Sequence, residues 1–163
     1  MNKVILGIDP GLQIAGYGIL LKEQQKARLL DYGCLHYKSG ESITERIGIF
    51  TTFFDEKITR FSVTQIVLET PFLGKNAQSF LKLGYLRGIL HYLAYRHSIL
   101  IAEYTPTQVK LSVTGYGAAK KDQVARVVVQ LFPGLKIPEK LDLTDALAVT
   151  LCGFFQQQYI PRS

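Results

Sequence analysis

Cysteine is scarce in this chain: Cys34 and Cys152 are its two in 163 residues. They stand far apart in apolar patterns, so two buried free thiols are expected rather than a disulfide framework. Long apolar runs are also missing. Nothing approaches the roughly 20 residues of a membrane span. The short apolar run near the N-terminus, behind a single lysine, is too brief for a signal peptide. No membrane contact and a cytoplasmic location are therefore expected. There are no repeats, low-complexity stretches or linkers, and the chain reads as one compact domain over residues 1–156 with a short tail at 157–163. Acids are the minority, 13 against 19 lysines and arginines, giving a formal net charge of +6. That balance suits a polyanionic partner. The remaining composition, 47% hydrophobic and 20% charged, is that of an ordinary globular protein.

What the chain does contain is a particular placement of four acids. Asp9 closes the apolar run Val4-Ile5-Leu6-Gly7-Ile8, and Glu69 closes Gln65-Ile66-Val67-Leu68. Asp142 and Asp145 stand three apart at the head of an apolar helical pattern that runs to Phe155. Residues three apart on a helix share a face. Two strand-end acids and an acidic pair suggest a metal site, because hard divalent cations take oxygen ligands and keep positions open for water and phosphate. An acidic pocket on a basic chain points to phosphodiester chemistry on nucleic acid.

Local signals place these acids on elements. Strands are expected at Val4 to Asp9, Gly16 to Leu21 and Leu29 to Tyr37, the last two joined by a polar connection, Lys22 to Lys26. Ser42 with Glu45 forms a capping-box pattern that opens a helix to about Thr59, with Ile43, Ile47, Phe50 and Phe54 on one face. A strand at Gln65 to Glu69, a long helix from Asn76 to His97 and a strand from Ser98 to Tyr104 follow. Thr105-Pro106 with Gln108 starts another helix. Gly115-Tyr116-Gly117 breaks the chain before a helix around Asp122 to Phe132, and the last helix begins near Leu143. The order predicts an α/β fold, a mixed five-stranded sheet with helices on both faces. In such sheets ligands bind beyond the carboxyl ends of strands, where Asp9 and Glu69 are expected.

Each acid also has a plainer explanation. Asp9-Pro10-Gly11 is a good turn. Glu69 before Thr70-Pro71 suits an exposed strand end, and Asp142 and Asp145 suit the positive end of a helix dipole. Helix capping says nothing about the two strand ends, whereas a metal site accounts for all four.

Four segments carry a family resemblance. Ile8-Asp9-Pro10-Gly11 with Gly16-Tyr17-Gly18 is the first, and Lys75-Asn76-Ala77 with Leu83-Gly84 and Arg87-Gly88 the second. The third is Gly115-Tyr116-Gly117-Ala118-Ala119-Lys120-Lys121-Asp122-Gln123-Val124, and the fourth Asp142-Leu143-Thr144-Asp145-Ala146-Leu147-Ala148. In this order and spacing they resemble the RuvC family, the bacterial Holliday-junction resolvases of the RNase H-like superfamily.

The resemblance implies a homodimer that nicks two opposed strands of a four-way DNA junction with magnesium, two ions per site, manganese being an alternative metal. It makes Asp9, Glu69, Asp142 and Asp145 the catalytic and metal-binding acids. It places Lys110 and Lys121 near DNA, and Lys75, Lys82, Arg87 and Lys120 are candidates for further phosphate contacts. Phe72 matches a phenylalanine that stacks on unpaired bases, although Thr70-Pro71 departs from the family's usual glutamine there and should stiffen the loop. Branch-migration proteins are implied as partners, but the short tail leaves those contacts open. The helix Asn76 to His97 is the candidate dimer surface. Leu83, Leu86, Leu90 and Leu93 make one apolar side of it, and Tyr85, Ile89, Tyr92 and Tyr95 a second. His91 and His97 read as surface or interface residues, not ligands. Two other readings stay open: an RNase H-like nuclease acting on RNA–DNA hybrid or structured RNA, and a non-catalytic junction-binding module.

Overall fold

The computed structural model describes residues 3–24, 26–71, 76–135 and 142–156. Its elements are β1 (Lys3–Asp9), β2 (Ile14–Glu23), β3 (Lys26–His36), α1 (Ile43–Phe61), β4 (Gln65–Glu69), α2 (Ala77–Arg96), β5 (Leu100–Tyr104), α3 (Pro106–Thr114), α4 (Lys121–Leu131) and α5 (Asp142–Phe155). The strands form a single five-stranded sheet in the order β3-β2-β1-β4-β5. β1, β2 and β3 pair antiparallel, and β4 joins β1 and β5 in parallel. This is the mixed sheet the sequence predicts.

The sheet has a core on each face. Leu6, Ile8, Tyr17, Ile19, Ile66 and Leu68 point to one side, where α1 brings Phe50 and Phe54 and α2 brings Leu86, Leu90 and Leu93. Ile5, Leu20 and Val67 point to the other, against α3, α4 and α5. The alternation follows from the two-residue period of a strand. Among the described residues, no helix is long and apolar enough to cross a membrane.

The local signals hold at the helix starts. Ser42 accepts from the Glu45 amide at 3.2 Å while Glu45 accepts from the Ser42 amide at 2.7 Å. Thr105 and Gln108 repeat the arrangement at α3, with Pro106 in the first turn. One expectation needs correction. The polar stretch Lys22 to Lys26 does not separate the second and third strands: the ladder continues through Lys22↔Ala27 and Glu23↔Lys26. An antiparallel ladder propagates through backbone hydrogen bonds and needs no burial of side chains at its solvent end. The thiols also differ from each other. Cys152 is buried in α5, whereas Cys34 is only half-buried because β3 is an edge strand.

α5 sits unusually deep on the sheet. Leu143, Thr144 and every residue from Ala146 to Phe154 are buried. Glycines make the approach possible. A Cβ on Gly7 would lie 2.1 Å from Thr150 Oγ1 and 2.8 Å from its Cα, and one on Gly18 would meet Leu147 Cδ2 at 2.5 Å. On the helix side, a Cβ on Gly153 would meet Val67 Cγ2 at 2.6 Å.

Candidate active site

Strand parity brings the acids together. Ile5 and Val67 face α5, so Asp9 and Glu69, each an even number of residues further along, face the same way at their strand ends. β1 and β4 are parallel neighbours with Ile8 opposite Leu68, which sets the two carboxylates side by side. Asp9 is also opposite Gly16. A Cβ on Gly16 would lie 2.3 Å from the Asp142 carbonyl, so this glycine lets the first turn of α5 approach the end of β1. Both α5 acids, Asp142 and Asp145, are half-buried there.

Asp9, Glu69 and Asp145 line a cleft of about 230 Å³ together with Lys110 and Lys121, over an apolar wall of Val109, Val124, Ala148 and Val149. Asp142 stands behind this lining, near enough to Asp9 for its charge to be felt. The turn at Gly115–Gly117 joins α3, which carries Lys110, to the helix that begins at Lys121. Gly115 ends α3 with φ 76°, a left-handed conformation that glycine adopts without strain. The chain then re-enters as α4 at Lys121, whose Nζ donates to Asp145 Oδ2 at 2.8 Å.

The electrostatics are those of crowded carboxylates. Burial, then the charges of Asp145, Glu69 and Asp142, push Asp9 up to about 7, with Lys121 opposing. Burial and Asp145 also raise Glu69, against Lys121, Lys110 and Arg87. The hydrogen bond to Asp145 raises Lys121. An all-oxygen donor set suits a hard cation such as magnesium, and the repulsion displacing Asp9 is what a cation would relieve. Among the described residues, no three Asp, Glu, His or Cys side chains are already arranged to hold a metal ion. Asp145 is instead engaged by the Lys121 ammonium, which supplies positive charge to the cluster.

The remaining candidates divide. Lys120 and Lys82 are exposed, Lys120 immediately before α4 and Lys82 on α2. Arg87 is turned inward, donating to the Glu69 carbonyl at 2.9 Å and to Glu103 Oε1 at 2.7 Å. Phe72 and Lys75 lie outside the described residues. His97 Nε2 and Asp55 Oδ1 are 2.5 Å apart, a contact joining α2 to α1, and His91 stands 3.4 Å from Glu103. Sequence reasoning missed Glu103. Its signal is a charged residue one step from the end of a parallel strand, opposite Leu68.

Comparison with known proteins agrees over nearly the whole chain. The family described as "Crossover junction endodeoxyribonuclease RuvC" matches residues 5–153. A protein of that description from Pelodictyon phaeoclathratiforme is 41% identical over 153 residues, 94% of this chain and 80% of the relative. One from Natranaerobius thermophilus is 40% identical, covering 91% of this chain and 92% of the relative. Among solved structures, T. thermophilus RuvC in complex with Holliday junction substrate matches with TM-score 0.85 and 30% identity, covering 94% of this chain and 93% of that one. The yeast mitochondrial Holliday junction resolvase Ydc2 shares the fold at TM-score 0.69 and 14% identity, over 94% of this chain and 78% of that one.

Proposed function

The chain belongs to the RuvC family of crossover junction endodeoxyribonucleases, and from that premise we propose that it resolves four-way DNA junctions by paired, opposed nicks in a metal-dependent hydrolysis. One observation carries the reading: two strand-end acids and an acid from the first turn of α5 share a cleft with two lysines, on a chain of net charge +6.

Asp9, Glu69, Asp142 and Asp145 would hold magnesium. When bound, the metal lowers the pKa of the attacking water and offsets charge on the phosphate oxygens during an in-line displacement. The rest falls to the chain itself. Lys110 and Lys121 supply positive charge at the mouth of the cleft and draw a phosphodiester toward the acids. The apolar wall keeps water from competing there, which strengthens every charge interaction inside. Lys120 lies beside Lys121 on the exposed approach and extends the basic track. Lys121→Ala should lower the slope of log affinity against log salt by about 0.9, the value for one neutralised duplex phosphate. An unchanged slope would leave Lys121 as a partner of Asp145 alone.

Opposed nicks need two such sites. α2 has an outward stripe of Leu81, Tyr85, Tyr92 and Tyr95, all exposed, opposite its buried leucines. Gly84 and Gly88 have nothing within 4 Å of an added Cβ, leaving room for another backbone to approach. A second copy of the chain fits this stripe, since burying it against itself removes four large apolar side chains from water on each partner.

The deciding experiment offers the purified protein a four-way junction, a linear duplex and an RNA–DNA hybrid, each with magnesium or with chelator, and measures its mass by sedimentation. Symmetric paired nicks in the junction alone, abolished by chelator and made by a species of twice the chain mass, are the expected result. Cutting of the hybrid would move the activity elsewhere among RNase H-like nucleases. Tight junction binding without cutting in any metal would make the protein a binding module.

A further inference from the structure

We propose that Arg87 is a positioning residue of the catalytic centre, holding the end of β4, and with it Glu69, to α2 and β5. The proposal rests on the nuclease reading of the Asp9–Glu69 site and deepens it.

Arg87 has the chemistry of a phosphate contact, but its guanidinium is committed elsewhere. Nη1 donates to the main-chain carbonyl of Glu69 at 2.9 Å, and Nη2 to Glu103 Oε1 at 2.7 Å. Its side chain is 14% exposed, against 31% for Glu103, so little of it is left to meet DNA. A planar guanidinium with both arms engaged fixes direction as well as distance, which a lysine ammonium does not. Glu69 needs that fixing. It is the last residue of β4, and after the Thr70 amide donates to the Tyr104 carbonyl at 2.8 Å the chain leaves the sheet. The Arg87 bond therefore acts on the same peptide whose side chain lines the catalytic cleft. Glu103 is the brace. It belongs to β5, opposite Leu68 in register, and its Oε1 also lies 3.4 Å from His91 Nε2, one helical turn beyond Arg87. The opposite side of α2 carries Leu81, Tyr85 and Tyr92, so the seating of that stripe and the direction of the Glu69 carboxylate are set by one rigid element.

Arg87→Met keeps the length and packing of the side chain without its donors, Arg87→Lys retains one donor group, and Glu103→Gln weakens the brace. Three readouts separate positioning from DNA contact: junction affinity and its salt slope in chelator, the single-turnover cleavage rate at saturating enzyme, and Mn²⁺ binding by the protein alone followed by electron paramagnetic resonance. Arg87→Met should keep the affinity and slope of the unaltered protein. Its cleavage rate and Mn²⁺ affinity should each fall by roughly 10–100-fold, the usual cost of removing a group that orients a metal ligand. Arg87→Lys should recover part of both, and Glu103→Gln should move both in the same direction by less. If Arg87→Met does not fold, the other two variants carry the comparison. A weaker junction affinity with a slope reduced by about 0.9 and an unchanged cleavage rate would make Arg87 a phosphate contact and overturn the proposal. If the unaltered protein failed to cut junctions, the nuclease reading would fall, while the Mn²⁺ titration would still decide the role of Arg87.

Discussion

Asp9→Asn is expected to remove cleavage and, in the same step, to make the metal-free protein more stable above neutral pH. Loss of activity follows from the central place of Asp9, beside Glu69 and facing α5, with the charges of Asp145, Glu69 and Asp142 all acting on it. Metal assistance supplies several kcal/mol of transition-state stabilisation, and losing about 4 kcal/mol slows a reaction roughly a thousandfold. Junction binding, which the proposal assigns to the lysines, should persist.

The stability gain has the opposite cause. Asp9 titrates near 3.8 in the unfolded chain and is pushed up to about 7 in the folded one. Between these values the folded state keeps a proton that the unfolded state releases, so stability falls as pH rises through the window and the cost is complete above 7. The displacement corresponds to about 4 kcal/mol. Asparagine carries no such cost. Thermal melts in chelator should therefore coincide near pH 4 and separate at pH 8, with Asp9→Asn melting higher by roughly 5–15 °C for a chain of this size. Magnesium should close the gap from the other side, stabilising the unaltered protein and not the variant. Coincident melts at pH 8 would mean that the acids are not in conflict.

The second large effect is at Gly7, where alanine is expected to be severely destabilising although glycine in a strand interior normally costs stability. The added methyl would overlap Thr150 Oγ1 at 2.1 Å, its amide nitrogen at 2.7 Å and its Cα at 2.8 Å. A flexible side chain moves aside; two of these three atoms are helix backbone. α5 would have to lift from the sheet, and Gly16 sets its first turn similarly close, 2.3 Å between an added Cβ and the Asp142 carbonyl oxygen. Overpacking commonly costs 1–3 kcal/mol, and a rigid helix against a central strand belongs at or above the upper end, about 3 kcal/mol. A fall in melting temperature of roughly 6–12 °C follows. Because Asp142 and Asp145 travel with α5, any folded fraction should also cut poorly, a displacement of about 1 Å being worth roughly a hundredfold in rate. Gly48→Ala, on α1 with open space around its Cβ, is the control. Equal behaviour of the two variants would remove the close seam as the device that seats the helix.

These features were not equally legible in the sequence. Asp9 and Glu69 stand out because an apolar run ending in an acid is a local pattern, and Asp142 and Asp145 because a helix makes neighbours of residues three apart. The strand positions and the mixed sheet followed from the same runs, the order of strands within the sheet did not, and family resemblance supplied the assembly. Arg87 reads as one more surface cation, since its partners at positions 69 and 103 lie on strands across a helix–sheet packing that no periodicity announces. The glycine seam was half visible. Gly16-Tyr17-Gly18 marks a motif, but that the motif serves the approach of a helix more than 120 residues later appears only when Thr150 and Asp142 are in place. The hairpin ran past its apolar residues because backbone pairing does not consult them.

The late arrival of α5 has a consequence for the timing of synthesis. The Thr150 hydroxyl reaches the Gly18 carbonyl across 132 residues of chain, whereas β1, β2 and β3 pair among their immediate neighbours. At about 5–20 residues per second, the ribosome exposes the first three strands several seconds or more before it exposes Asp142. Throughout that interval Asp9, and then Glu69, are without the α5 acids that stand beside them in the folded chain. With the four acids in the roles proposed above, the cutting site is complete only once α5 docks.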